Sequence, residues 1–188
     1  MHEIEKAIIY AARAHDKQFR KGGDVPYITH PFAVALILQR QGCSKEVVIA
    51  GLLHDTIEDT PVTLGDIERE FGSKVAALVK GCSEPDRSAS WEIRKQHTID
   101  YVRTAPYDIK LVVCADKLHN ISCVLREYKE IGVRVWERFH RGYEQQKWYH
   151  TSMVDSLFFG LNGVAEGSIF HQYREKVAEL FVRNLEEF

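Results

Sequence analysis

Apolar residues recur every three or four positions through most of the chain, and nowhere do they alternate with polar ones as a half-buried strand requires. From His2 to about Arg20, Ile4, Ala7, Ile8, Ala11 and Ala14 share one face, which predicts an amphipathic opening helix ended by Gly22 and Gly23. After a polar loop, His30-Pro31 begins a second helix: proline suits the first turn, where an N–H has no partner anyway, and Val34, Ile37 and Leu38 provide a buried face. Val47 to Leu53 is apolar almost all round, so it reads as a buried strand or a buried helix. Its length from Ser44, a residue able to cap it, favours helix. Thr60-Pro61 disfavours continuation, leaving the acidic residues before it in the last turn or just beyond. Thr63-Leu64-Gly65-Asp66 has the form of a capping box, opening a helix with Ile67 and Phe71 inward; Gly72 breaks it, and another runs from about Ser73 to Lys80.

Gly81 to Ser90, with Pro85 and several serines, predicts a loop and the segment expected to move most. A helix is expected from Trp91 to Ala105-Pro106. Another runs from Ile109 through Leu125 and carries Asp116, Lys117 and Asn120, although Leu111-Val112-Val113 alone would pass for strand. An aromatic-rich helix follows Gly132 with Trp136, Phe139, Tyr143 and Trp148. Gly160 to Gly167 then breaks the chain before a final helix with Phe170, Tyr173, Val177 and Leu180. The pattern predicts an all-α, single-domain protein over residues 1–188, with a motif-bearing core over about 1–130 and C-terminal helices over about 133–188 packed on it.

Composition changes this picture little. The 188 residues are 45% hydrophobic and 28% charged, as in an ordinary globular protein, and can bury a sizeable core. A formal net charge of −2 exerts no overall pull toward nucleic acid or an anionic membrane, so a polyanionic ligand must be met by local basic residues. No run approaches the roughly 18 apolar residues of a membrane span, and Met1-His2-Glu3-Ile4-Glu5-Lys6 lacks a signal-peptide layout. A cytoplasmic location is expected. Cys43, Cys82, Cys114 and Cys123 are scattered and read as small buried hydrophobes in a reducing compartment.

The chemistry is concentrated in Leu52-Leu53-His54-Asp55-Thr56-Ile57-Glu58-Asp59-Thr60. If this stretch is helical, His54 sits above Glu58 and Asp55 above Asp59, and three carboxylates fall within about one turn. Like charges at that spacing raise one another's pKa unless a cation lies among them, which points to a bound metal. A solvated acidic helix end is the other reading. His30 at the start of one helix and Asp116 inside a later one add an imidazole and a carboxylate. Two of each suit a first-row divalent ion with open coordination positions, although each residue alone has a local structural alternative.

The chain resembles the HD-domain metal-dependent phosphohydrolases, and within them the alarmone hydrolase domain of RelA/SpoT proteins and its stand-alone homologues. The residues that carry the resemblance are Ala14-His15-x-x-Gln18-x-Arg20-Lys21, Pro26-Tyr27-Ile28-x-His30-Pro31, the Leu52 to Thr60 stretch, Phe71-Gly72, and Ala115-Asp116-Lys117-Leu118-His119-Asn120, in order over the first two thirds of the chain. The resemblance implies Mn²⁺, or another first-row divalent ion, held by His30, His54, Asp55 and Asp116, with Glu58 and Asp59 orienting or deprotonating the attacking water. It implies that Arg20 and Lys21 meet the guanine end of a nucleotide, that Arg94 and Lys95 lie near its phosphates, and that Lys117 and Asn120 lie close to the metal-bearing Asp116. Tyr149, Lys147 and Arg141 are further candidates for a distal phosphate, whereas His15 and His119 read as structural. Ile121-Ser122-Cys123 departs from the arginine and polar residue usual there, as Trp91-Glu92-Ile93-Arg94-Lys95 does from Glu-Asn-x-Arg-Lys. The implied activity is Mn²⁺-dependent removal of the 3′-pyrophosphate of ppGpp or pppGpp. The alternatives are the same chemistry on another nucleotide or nucleotide cofactor with a ribose phosphate, and a regulatory module that binds a nucleotide without cleaving it.

Overall fold

A computed structural model describes residues 2–21, 23–84 and 88–182. Among them the regular structure is helical: α1 (His2–Ala14), α2 (Thr29–Arg40), α3 (Lys45–Leu53), α4 (Thr56–Asp59), α5 (Leu64–Phe71), α6 (Ser73–Cys82), α7 (Trp91–Thr104), α8 (Tyr107–Ile131), a 3-10 helix (Gly132–Arg138), α9 (Tyr143–Phe158) and α10 (Ile169–Phe181). One isolated antiparallel bridge pairs Phe19 with Pro26. None of these helices is long and apolar enough to cross a membrane.

By contacts the chain forms two compact units, one from the described residues of Met1–Pro85 with Pro106–Asp116, the other from those of Asp86–Ala105 with Lys117–Phe188. The first is built round α3, whose residues from Val47 to Leu53 are all buried and which packs against α1, α2 and α6. An apolar run such as Val47 to Leu53 belongs at such a centre, since each fully buried Val, Ile or Leu side chain contributes roughly 1.5–3 kcal/mol. Gly51 lies where α3 comes close to α2. A Cβ there would stand 2.5 Å from Leu38 Cδ1 and 3.4 Å from Val34 Cγ1, both fully buried. Gly51→Ala is therefore expected to destabilise the fold by about 1–3 kcal/mol through overpacking, read as a lower denaturant midpoint.

The second unit joins α7, α9 and α10. Its interior is aromatic: the Trp136 ring stacks on Phe181 at 5.6 Å and meets Tyr143 edge-on at 5.3 Å, while Tyr173 donates or accepts a 2.7 Å bond with His150 Nδ1 between α10 and α9.

Five local expectations are corrected. α1 ends at Ala14 rather than near Arg20: Lys17 takes a left-handed turn (φ 61°), and the chain leaves the helix axis before the glycines. Gly22 itself lies outside the described residues. Ser44 occupies the N-cap of α3 without a side-chain cap bond, whereas the Thr63–Asp66 capping box is present in full. The aromatic-rich helix is divided, with Trp136 in the 3-10 helix and α9 starting only at Tyr143 after Gly142. Of the four cysteines, all free, only Cys114 is buried. The expected mobile loop is shorter than predicted, because α6 continues to Cys82, and its residues 85–87 lie outside the described ones.

Candidate metal centre

The Leu52 to Thr60 stretch is divided between two helices rather than lying in one. α3 stops at Leu53 and the single turn α4 begins at Thr56, with His54 and Asp55 at the junction. Side chains compete with the helix for its carbonyls: His54 Nδ1 bonds the Gly51 carbonyl at 2.9 Å, and the Thr56 hydroxyl donates to the Leu53 carbonyl at 2.7 Å. The break turns His54 and Asp55 toward the same space. His54 sits behind the α3 apolar run and is held by its Nδ1 bond, which directs Nε2 inward and leaves that nitrogen available as a ligand.

The other groups come from different elements. His30, in the first turn of α2 beside Pro31, and Asp116, in the middle of α8, lie against the same space. His30, His54 and Asp116 are buried at 1%, 4% and 8% exposure, and their ligand atoms lie within 4.8 Å of one another, a cluster able to hold a metal ion. Asp116 Oδ1 is 3.2 Å from His30 Nε2 and 3.9 Å from His54 Nε2. Asp55 Oδ2 is 3.1 Å from His54 Nε2 and 3.5 Å from His30 Nε2, and accepts a 2.7 Å hydrogen bond from the Tyr27 hydroxyl. The two imidazole rings face each other edge to plane, 5.2 Å apart.

The donor set fits a divalent first-row ion. Two imidazole nitrogens and two carboxylates suit that class, and the buried His54 Nε2 has no hydrogen-bond partner among the described residues although Asp55 lies close to it. The electrostatics agree. Burial pushes the His54 pKa down, but the adjacent Asp55 and Asp116 carboxylates more than reverse this, to about 9. Burial likewise opposes ionisation of Asp55, and the His54 and His30 imidazoles hold it well below the usual carboxylate range. For His30, burial prevails over the nearby aspartates and lowers the pKa. The Tyr27 phenol is pushed far up by burial and then by Asp55, so it stays protonated as a donor.

Glu58 and Asp59 follow in α4. Glu58 is half-buried and its Oε1 accepts the Glu84 amide at 2.8 Å, whereas Asp59 is exposed and its backbone carbonyl accepts Gln18 Nε2 at 2.7 Å. Arg20, with its guanidinium 5.7 Å from the Tyr27 ring, and the exposed Lys21 sit on the loop between α1 and α2. The remaining expected residues belong to the second unit. There Lys95 and Lys117 place their ammonium groups 5.2 and 5.9 Å from the centre of the buried Tyr149 ring, whose hydroxyl has no hydrogen-bond partner among the described residues. Arg94 is half-buried on α7, and Asn120 lies one turn past Asp116 in α8. Arg141 forms a two-pronged pair with Glu92, and Lys147 lies over Tyr143. Sequence reasoning missed Tyr27 and Gln18 as parts of this arrangement. Their signal was present in the motif pieces themselves, a tyrosine three residues before His30 and a glutamine two before Arg20.

The chain is all-α among its described residues and brings two buried histidines and an aspartate into one cluster able to hold a metal ion. Residues 7–140 match the HD domain, and the chain belongs to that family. The human protein guanosine-3′,5′-bis(diphosphate) 3′-pyrophosphohydrolase MESH1 is 33% identical over 177 residues, covering 93% of this chain and 94% of that protein. The bifunctional (p)ppGpp synthase/hydrolase SpoT of Escherichia coli (strain K12) is 38% identical over 123 residues, 63% of this chain and 17% of SpoT. The chain spans 14–17% of the length of such bacterial relatives. Among solved structures, a metazoan ortholog of SpoT that hydrolyses ppGpp and plays a role in starvation responses superposes with a TM-score of 0.75 at 25% identity, over 96% of both chains.

Proposed function

We propose that the chain is a metal-dependent hydrolase of guanosine alarmones, converting ppGpp or pppGpp and water to GDP or GTP and pyrophosphate. The observation that carries this reading is the His30, His54, Asp55 and Asp116 cluster, with Glu58 and Asp59 one turn beyond it, in a chain similar to MESH1 along nearly the whole length of both. Those four residues hold the ion, Mn²⁺ in this reading. When bound, it supplies Lewis acidity toward a phosphoryl oxygen and makes nearby water a stronger acid. Glu58, oriented by the Glu84 amide, and Asp59 align the attacking water and accept its proton. Arg20 stacks on the guanine with Lys21 beside it, a role for which a planar guanidinium is suited. Arg94, Lys95, Lys117, Asn120 and Tyr149 bind the phosphates, with the unpartnered Tyr149 hydroxyl available as a donor. Both compact units serve as one hydrolase domain. Four free cysteines accord with a reducing, cytoplasmic setting.

A second reading keeps the chemistry and changes the nucleotide. It is favoured by Ser122, whose hydroxyl donates back to the Leu118 carbonyl of its own helix at 2.7 Å, and by Cys123, which lies against His119 and Arg126. Assaying ppGpp, pppGpp and nucleotides that carry only a ribose monophosphate, with Mn²⁺ present, decides between them. The first reading expects pyrophosphate from the two alarmones at far higher kcat/KM than phosphate from the others, and the reverse order defeats it.

A further inference from the structure

The loop that carries Arg20 and Lys21 is closed at its base by a short antiparallel pairing. Tyr27 N donates to the Gln18 carbonyl at 2.8 Å and Arg20 N to the Val25 carbonyl at 2.8 Å, on either side of the Phe19–Pro26 bridge. Both residues at that base reach the acidic stretch. Tyr27 donates its hydroxyl to Asp55 Oδ2, the oxygen that also lies 3.5 Å from His30 Nε2 and 3.1 Å from His54 Nε2. Gln18 donates Nε2 to the Asp59 carbonyl. The buried His15 braces the pair: its Nδ1 is 2.7 Å from Gln18 Oε1, and its ring packs on Tyr27 with centroids 4.9 Å apart.

We infer that Tyr27 is a positioning residue for Asp55 in the metal centre, and that Gln18, its partner across the loop base, positions the Glu58–Asp59 turn. The inference rests on the metal-centre reading above. A phenol bound to a carboxylate is a short, charge-assisted hydrogen bond. It fixes the orientation of that carboxylate before an ion arrives, in the way that outer groups orient metal ligands elsewhere. Gln18 bonds the backbone carbonyl of Asp59, so its effect falls on where the Glu58 and Asp59 side chains point. One loop thus holds Asp55 and the Glu58–Asp59 turn by separate bonds, and the same loop presents Arg20 and Lys21.

The two bonds give two different signatures. Tyr27→Phe keeps the ring that packs on His15 and His30 and removes only the hydroxyl. With chelator-stripped protein titrated with Mn²⁺ alone and free Mn²⁺ followed by electron paramagnetic resonance, its dissociation constant is expected to rise about 10–100-fold. Gln18→Met keeps length and loses both side-chain bonds; it is expected to bind Mn²⁺ as the wild type does while kcat for ppGpp falls about tenfold or more. Wild-type Mn²⁺ affinity in Tyr27→Phe, whatever its unfolding temperature, overturns the role of Tyr27. Unchanged kcat in Gln18→Met overturns that of Gln18. Wild-type protein that takes up no Mn²⁺ defeats the metal centre itself and is thereby told apart from either result.

Discussion

Asp55→Asn is expected to abolish Mn²⁺ uptake and ppGpp turnover in a protein that still folds. Asp55 Oδ2 stands 3.1 and 3.5 Å from the two imidazole Nε2 atoms and completes one side of the cluster. Asparagine has nearly the same shape and can still accept the Tyr27 hydroxyl through its amide oxygen, so packing is kept while the negative charge is lost. A bound ion contributes several kcal/mol to stabilising charge in the transition state; about 4 kcal/mol corresponds to roughly a thousandfold in rate, and losing the ion forfeits it. Mn²⁺ titration, ppGpp turnover and thermal unfolding on the same sample check this. Turnover within tenfold of wild type would remove Asp55 from the ligand set.

The second large effect is a pH dependence with opposite consequences for the metal-free and metal-loaded protein. In the metal-free fold the His54 pKa is raised from 6.5 to about 9 by the Asp55 and Asp116 carboxylates, against the cost of burial. A pKa raised in the folded state stabilises the protein through the bound proton. That contribution is complete below pH 6.5 and is lost as pH rises through 9, an amount of order 3 kcal/mol. Ion binding needs the neutral imidazole, so each ion taken up displaces that proton. Mn²⁺ affinity should therefore rise about tenfold per pH unit between about 6.5 and 9 and level off above, while stability of the stripped protein falls over the same window. Calorimetric titrations in buffers of different ionisation enthalpy count the released proton. An affinity independent of pH across this window would contradict the assignment of His54 as a ligand.

Three residues of the candidate centre stood out in the sequence because they are polar and adjoin buried apolar runs. His54 and Asp55 follow the buried Val47 to Leu53 run of α3, and Asp116 follows the buried Cys114 and Ala115 in α8. A charged or imidazole side chain at such a position must find a partner, and the partners were few enough to be found by inspection. The long α8 and the Thr63–Asp66 cap were legible for a related reason, since their signals are local and nothing nearby competes with them. What escaped was decided by side chains acting on the backbone. The carbonyls of Gly51 and Leu53 are taken by His54 and Thr56, which splits a helix that periodicity reads as continuous. The pairing of Gln18 with Tyr27 ends α1 early, and no apolar pattern announces it. The break before Tyr143 is similar, because Trp136 and Phe139 keep helical spacing while pairing with one another in a 3-10 segment and its exit.

The central claim is that this buried cluster makes the chain a pyrophosphohydrolase, and it is tested most directly by following pyrophosphate release from ppGpp by wild-type protein and Asp116→Asn, each with Mn²⁺ and with excess chelator. Asp116 approaches both histidines, at 3.2 and 3.9 Å. The account predicts pyrophosphate and GDP in equal amounts from the wild type with Mn²⁺ and neither product in the other three reactions. Release by the stripped wild type, or by Asp116→Asn at the wild-type rate, would contradict it.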